Sequence, residues 1–327
     1  MPQWLKNQLT DINPAQPKGY FAKRGVQTWA SATATIIRDN VNIDADIRCL
    51  DVASHKLKDP RIQMIRSYEH IYLAYQNYSA IAARNVCGGA PYDMSRALYS
   101  TFYYSIYCAS IAMNWTSDLL VKEPNHSQVA NMWAQNFGKP KRSIAPFSYA
   151  FTSMIPKKQK ELLSNYLSGN SFNSNDVLAL SRLTPEQAKG SYFSFLNGTA
   201  EQSVIKKLSK KDLDKILAKH NAKTFNNKEA AKERDASLGN GFVGFPHVAY
   251  RFRRKAHYRD ALYLGYENKD EAKMNQFLED LELISYTYIR MASYHLKARF
   301  GEDDWLSFLE DLEENNNLST PISVFKI

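Results

Sequence analysis

The sequence has little of what stabilises secreted, metal-binding or extended proteins. Its three cysteines, Cys49, Cys87 and Cys108, lie far apart and match neither a zinc spacing nor a disulfide framework. Buried thiols in a reducing compartment are the ordinary interpretation, so we expect a cytoplasmic protein. The chain shows no cluster of metal ligands and no nucleophile motif in a supporting context, and we predict neither a metal nor a cofactor.

Long apolar runs are also missing. The most apolar stretch, residues 97–113, carries many Tyr and Ser residues and is typical of a buried helix rather than a membrane span. The N-terminal residues lack a basic segment followed by an apolar one, so we expect no signal peptide and no membrane partner. With only 12 Pro and 13 Gly in 327 residues, the composition argues against a loop-rich all-β fold and against disorder.

What the sequence does contain favours helices. Hydrophobic residues make up 44% of the chain, with 20 Tyr and 16 Phe, which is enough for a sizeable core. Apolar residues recur at helical spacing, and we find no convincing strand alternation. We therefore predict an all-α fold whose longer helices cover residues 62–86, 94–113, 126–137 and 269–300. Asp93 is the expected N-cap of the second of these. Shorter helices are predicted over residues 27–38, 44–58, 157–167, 174–181, 185–190, 210–219 and 228–234.

The net charge of +9 is unevenly distributed. Residues 139–235 contain 18 Lys and Arg against 9 Asp and Glu, whereas residues 301–327 contain one Lys against seven acidic residues. We therefore divide the chain into an N-terminal helical extension (1–61), a helical bundle (62–138 with 236–300), a basic helical insertion (139–235) and an acidic tail (301–327). The basic balance permits an anionic partner without proving one.

The strongest local signal is the segment 251–259, where four arginines and a lysine surround one histidine. Arginine offers planar bidentate donors to phosphate, and histidine can move a proton near neutral pH. Metal-free RNA cleavage needs both functions. The alternative is an ordinary basic helix face that makes ion pairs. Arginine followed by histidine after four to six residues occurs three times, as Arg48 with His55, Arg251 with His257, and Arg290 with His295.

Several motifs resemble the HEPN (higher eukaryotes and prokaryotes nucleotide-binding) family. Ser95-Arg96-Ala97-Leu98-Tyr99 through Tyr104 resembles the family's small-and-aromatic helix, and Asn125-His126-Ser127 resembles its downstream histidine before a short helix. Arg254-Lys255-Ala256-His257-Tyr258 resembles the Arg-x-x-Ala-Asp-Tyr segment before the last long helix, with His in place of Asp. The resemblance covers about residues 62–137 and 245–300.

The resemblance implies an antiparallel helical bundle that forms a homodimer and cleaves RNA as a toxin–antitoxin or antiviral defence effector. By the same resemblance, Arg251 and His257 would be catalytic, although the family motif usually has a polar residue where Phe252 follows the arginine. The residues expected to hold RNA phosphates are Arg253, Arg254, Lys255, Arg259, Tyr258 and His126. Each has an ordinary structural interpretation, and for His126 that is a helix cap or a core hydrogen bond. The cluster of Tyr99, Tyr103, Tyr104 and Tyr107 could stack on bases or pack the bundle.

Three functions follow. The first is a metal-independent HEPN-type ribonuclease acting through Arg251 and His257. The second is a non-catalytic HEPN-like module that binds nucleic acid, nucleotide or a partner protein, such as an antitoxin or a nucleotidyltransferase. The third is a helical scaffold whose basic segment is a solvated surface.

Overall fold

The computed structural model describes residues 8, 19–52, 54, 56–84, 88–117, 124–166, 183–258 and 270–327, without the side chains of 19–24, 166, 240 and 256–258. This part of the chain is mostly helical, which confirms the predicted all-α class. The helices of the first half are α1 (Gly19–Asp39), α2 (Ile43–Arg48), α3 (Pro60–Ala82), α4 (Pro91–Asn114), α5 (His126–Asn136) and α6 (Pro156–Tyr166). Those of the second half are α7 (Pro185–Lys207), α8 (Lys210–Lys219), α9 (Lys228–Leu238), α10 (Phe245–Tyr258), α11 (Glu271–Phe300) and α12 (Glu302–Asn315), with a final 3-10 turn at Ile322–Phe325.

Helix α4 lies at the centre of the bundle. It packs against α3 and α11 along most of its length, and against α5 and α10 on its other side. Its side chains are buried on several faces, as the near-continuous apolar sequence predicts. Tyr99 and Phe102 are fully buried, and the Ser110 hydroxyl lies 2.7 Å from the Tyr288 hydroxyl of α11 inside the core. This central packing fixes where α5 and α10 present their polar faces.

Helices α1 and α7, which lie in the segments predicted as an extension and an insertion, contribute to the same core. Trp29 of α1 is fully buried, and its ring stacks on Phe245 of α10 at 5.6 Å. Helix α7 packs against α1 and α10, and it buries Tyr192, Phe193 and Leu196. Among the described residues, α7 is therefore a core helix rather than part of a semi-independent insertion. The net charge of residues 139–235 did not indicate this, because charge says nothing about which helix face is buried.

Helix boundaries follow local capping signals. Asn125 accepts hydrogen bonds from the backbone of Ser127 and Gln128, and so starts α5 where the sequence predicts. Thr184 caps α7 in the same way, but α7 continues well beyond the predicted end at residue 190. The predicted N-cap Asp93 is wrong, since α4 begins at Pro91 and Asp93 lies in its first turn, where a carboxylate favours the helix dipole. The helix predicted over 174–181 lies outside the described residues.

The structure contains two short strands that the sequence pattern did not predict. Strand β1 (Phe151–Ser153) pairs antiparallel with β2 (Asn240–Val243). Elements of this length show too few residues for alternation to be read. The pair is closely packed, because a Cβ on Gly241 would lie 2.5 Å from the Met154 side chain. Because β1 directly precedes α6 and β2 directly precedes α10, the sheet connects the starts of these two helices.

The acidic tail docks on the bundle through one apolar face. Helix α12 buries Trp305, Leu309 and Leu312 against neighbours that include Tyr68 of α3. Its carboxylates remain largely exposed, so the helix is amphipathic rather than solvated on all sides. Within the described ranges, no helix combines the length and apolarity needed to cross a membrane.

Candidate functional site

Helix α10 has two chemically different faces. Phe245, Val248 and Phe252 are buried in the core, where the Phe252 ring lies 5.3 Å from Trp29. The opposite face borders a half-open cleft of about 800 Å³ between α7 and α10. We call this site the cleft. It is lined by Ser127, Asn131, Met154, Thr199, Gln202, Ser203, Ile205, Lys206, Lys207, His247, Tyr250, Arg251, Arg254 and Lys255. Five of these residues are cationic, and none carries a carboxylate.

Arg251 is held at the wall of the cleft by α7. Its Nη1 donates to the Thr199 hydroxyl at 3.1 Å, and the Thr199 hydroxyl itself donates to the Phe195 carbonyl at 2.8 Å. Gly198 leaves room for the guanidinium, since a Cβ there would lie 3.2 Å from Nη1. The Nε of Arg251 is buried, with no hydrogen-bond partner among the described residues. Arg251 lines the cleft with its guanidinium, for which Thr199 is a neutral partner rather than a counter-charge.

The cations of the cleft act on each other. Burial, then the charges of Arg254 and Arg251, lowers the pKa of Lys206. Burial lowers the pKa of Arg251, and the Glu201 carboxylate outside the cleft lining partly opposes this. Lys206, Arg251 and Arg254 form no ion pair with any described carboxylate. Like charges that face one cavity raise its positive potential, which a bound anion would relieve.

His247 lines the cleft, but both of its ring nitrogens form hydrogen bonds within the fold. The Gly244 backbone N–H donates to its Nδ1 at 3.2 Å, so Nδ1 carries the lone pair. Nε2 then carries the proton and lies 2.9 Å from the side-chain oxygen Oδ1 of Asn131. Burial and the Lys206 charge lower the pKa of His247 and keep this neutral form. Both ring nitrogens are occupied, so His247 has no spare nitrogen for proton transfer.

A group of partly exposed rings adjoins the cleft at Tyr250. We call it the aromatic patch, formed by Tyr104 and Tyr107 of α4, His126 of α5 and Tyr250 of α10. The His126 ring stacks on Tyr250 at 5.2 Å and lies 4.4 Å from Tyr107. Tyr104 lies 6.3 Å from Tyr107 in an edge-on arrangement. Tyr250 belongs to both the patch and the cleft wall, so the two sites are continuous.

His126 is held from one side only. Its Nδ1 lies 2.8 Å from the hydroxyl of the buried Tyr103, while Nε2 makes no hydrogen bond to any described residue. Burial, and then the Arg253 charge, lowers the pKa of His126, so the ring is neutral near pH 7. The helix cap is Asn125, so the proposed capping role of His126 is wrong. The hydrogen bond between Tyr103 and Nδ1 agrees with the alternative structural interpretation, a hydrogen bond within the core. This bond does not involve Nε2.

The predicted phosphate-binding residues of α10 do not all face the same way. Arg254 and Lys255 line the cleft with Arg251. Arg253 points towards α4, where its Nη2 donates to the Tyr104 hydroxyl at 3.0 Å and its guanidinium lies 5.8 Å from the Tyr103 ring. Arg253 therefore braces the aromatic patch instead of lining the cleft.

Three residues of the predicted site cannot be placed in the cleft or outside it. His257 and Tyr258 lie within α10, but their side chains, like Arg259 as a whole, fall outside the described residues. Six positions along a helix rotate the backbone by about 240°, so the Cα atoms of Arg251 and His257 do not share one helix face. A catalytic role for His257 stays a prediction.

Arg290 and His295 form the third match to the pattern of an arginine followed by a histidine, and both lie in the core. Arg290 donates to Asp44 at 2.8 Å and to the Lys326 carbonyl at 3.0 Å. His295 is buried beside the Arg142 carbonyl, with Nε2 at 2.8 Å. The first match cannot be placed because His55 lies outside the described residues. Context, and not the pattern, separates the cleft from the core.

Sequence reasoning missed Lys206, Thr199, His247 and Tyr250 as parts of the site. A signal existed for the two on α10, because His247, Tyr250, Arg251 and Arg254 recur at helical spacing opposite the buried face. No local signal marks Lys206 or Thr199, which α7 brings to the cleft from about 50 positions away in the chain.

The donor set of the described residues does not suggest a metal centre. No group of three or more His, Cys, Asp or Glu side chains is arranged there to hold a metal ion. The cleft instead offers cations, amides and hydroxyls, the donors that bind phosphate and other oxyanions. No family model matches this chain, and no match was found among curated proteins or solved structures.

Proposed function

We propose that the protein binds RNA by holding its phosphates in the cleft. The observation that carries the proposal is the lining itself, with five Lys and Arg residues and no carboxylate in one cavity. A surface that only needs solubility intersperses charges of both signs, whereas this cavity concentrates one sign. A chain of phosphates would satisfy the Arg251 donors and separate the charges of Lys206 and Arg254.

RNA is the polyanion that the sequence favours. The HEPN-like motifs around Ser95–Tyr104, His126 and Arg254–Tyr258 imply it, and the helical bundle with its long last helix is compatible with them. The cleft itself supports the phosphate part of the ligand. A homodimer, and an antitoxin or nucleotidyltransferase partner, remain predictions from the same resemblance.

The test is a binding assay with a fluorescein-labelled, unstructured 20-nucleotide RNA at several salt concentrations. The wild type should bind with an affinity that falls steeply with salt, because cations displaced from phosphates are released into solution. Arg251→Glu and Arg254→Glu should each weaken binding about tenfold or more, from the loss of charge-assisted hydrogen bonds.

The matched control is Arg61→Glu, an equal charge change at an exposed position on α3. Its affinity should stay close to that of the wild type. Salt-insensitive binding, or equal losses from all three variants, would show that the cleft is not the RNA site.

Metal-independent RNA cleavage is a second candidate function. The observation that favours it is the outward Nε2 of His126 beside a cleft that contains Arg251 and Arg254. Through its unprotonated nitrogen, a neutral imidazole can take the proton of a ribose 2′-hydroxyl, whose oxygen then bonds to phosphorus while the bond to the 5′-oxygen breaks and that oxygen takes up a proton. Guanidinium groups can stabilise the negative charge on the phosphate oxygens. His257 is the alternative base for the 2′-hydroxyl.

Cleavage is tested with total RNA in EDTA, using His126→Ala and His257→Ala as separate variants. Loss of cleavage in only one of them, with RNA binding retained, identifies the proton-transfer residue. RNA that binds but stays intact with the wild type would leave the protein a binding module.

A further inference from the structure

The cleft ends at a wall of partly exposed aromatic rings that the phosphate site does not use. Of the tyrosines on α4, Tyr99 and Tyr103 are buried and pack the bundle. Tyr104 and Tyr107 lie at its surface, where they meet His126 and Tyr250 to form the aromatic patch. Packing of the bundle therefore accounts for Tyr99 and Tyr103, while Tyr104 and Tyr107 keep partly exposed rings.

Two polar atoms of the patch have no hydrogen-bond partner among the described residues, whereas the Tyr104 and Tyr107 hydroxyls are bonded. The Nε2 of His126 makes no hydrogen bond to a described residue, and neither does the hydroxyl of Tyr250. Neither atom is buried, so both can reach a ligand. Rings with free polar edges are what a flat heterocycle with hydrogen-bonding groups would contact.

The patch and the cleft are joined by two side chains. The Tyr250 ring lines the cleft and stacks on His126, and the Arg254 guanidinium lies 5.9 Å from the centre of that ring. A phosphate bound by Arg254 therefore places the attached nucleoside beside the patch. Positive charge along a backbone groove, with aromatic rings next to it, is the usual arrangement for binding single-stranded nucleic acid.

We infer that the aromatic patch takes an unpaired nucleobase of the strand whose phosphates lie in the cleft, so that the site selects single-stranded RNA. This inference rests on the proposed function. In a duplex the bases are stacked and paired inside the helix, so they cannot offer a face to Tyr250 or an edge to His126. Arg253 holds the patch in place through Tyr104.

The experiment compares three labelled RNAs of nearly equal phosphate number: an unstructured 20-mer, the same 20-mer with abasic sites at its central positions, and a blunt, fully paired duplex of two 10-nucleotide strands. The wild type should bind the unstructured 20-mer about tenfold more tightly than either of the others. Tyr250→Leu should bind the intact and abasic strands with equal affinity, at a salt dependence close to that of the wild type. His126→Gln should reduce the preference without removing it.

Tyr294→Leu on α11 is the matched control, since its ring is also partly exposed but its hydroxyl bonds to the Arg48 carbonyl at 2.7 Å, outside the cleft lining. It should keep the full preference. Equal binding of the three RNAs by the wild type, or a preference that survives in Tyr250→Leu, overturns the inference and leaves the phosphate site intact. Absence of salt-sensitive binding to all three RNAs overturns the proposed function as well. Circular dichroism of each variant confirms that the helices are retained.

Discussion

On α11, Arg290 donates to the Asp44 carboxylate and to the carbonyls of Ser323 and Lys326, whereas on α10 Arg251 donates to the Thr199 hydroxyl and faces a cleft without carboxylates. Both arginines are partly withdrawn from water. The donors of Arg290 connect the C-terminal segment to the bundle, while Arg251 lines the cleft and its buried Nε has no partner within the described part of the chain. The comparison separates cations that hold the fold together from cations that remain available to a ligand.

Two histidines show the same contrast. His295 is 1% exposed and bonds to the Arg142 carbonyl, and burial lowers its pKa to about 4. His126 is half-buried, with one nitrogen on Tyr103 and the other unpartnered among the described residues. Each histidine has one ring nitrogen with a described partner, so the difference between them is burial, which is nearly complete at His295 and partial at His126.

The largest effect expected from this comparison is on stability. Arg290→Met should lower the free energy of unfolding by about 3 kcal/mol, mainly because it leaves two carbonyls of the C-terminal segment without their charged donor. The half-exposed Asp44 carboxylate, which also loses its partner, contributes little. Arg254→Met should leave stability unchanged or slightly raised, since it removes like-charge repulsion with Lys206. Urea unfolding of the two variants measures both. Equal losses would mean that the cleft arginine is also structural.

The next effect concerns acid stability. The folded pKa of His295 is about 4, below its ordinary value of 6.5, so the folded state binds fewer protons than the unfolded state in this interval. Its contribution to stability is complete above pH 6.5 and is lost as the pH falls towards 4, by an amount on the order of 3 kcal/mol. Unfolding midpoints of the wild type and His295→Gln between pH 7 and pH 4 provide the test. The variant should show a shallower acid loss, and parallel pH profiles would contradict the assignment.

The sequence predicted features that depend on a single helix, such as its buried face and its first residue. The period of α10 places Phe252 on the buried face, which explains the apolar residue that departs from the family motif after Arg251. Capping residues such as Asn125 and Thr184 set helix starts correctly. The site could not be completed from the sequence, because Thr199 and Lys206 reach the cleft only through the packing of α7 on α10. Net charge pointed to residues 139–235 as a separate region, yet their helix α7 lies in the core.

The smallest effect sharpens the comparison at Arg251 itself. Gly198→Ala places a Cβ 3.2 Å from Nη1, so the guanidinium must shift by a few tenths of an ångström along the cleft wall. Alanine within α7 should meanwhile raise stability by up to about 1 kcal/mol, because glycine in a helix interior is destabilising. We expect a variant that unfolds at slightly higher urea but binds the 20-nucleotide RNA about two- to threefold more weakly, as a displaced charge-assisted contact would give. Unchanged affinity would mean that Arg251 tolerates displacement and that Lys206 and Arg254 provide most of the phosphate binding.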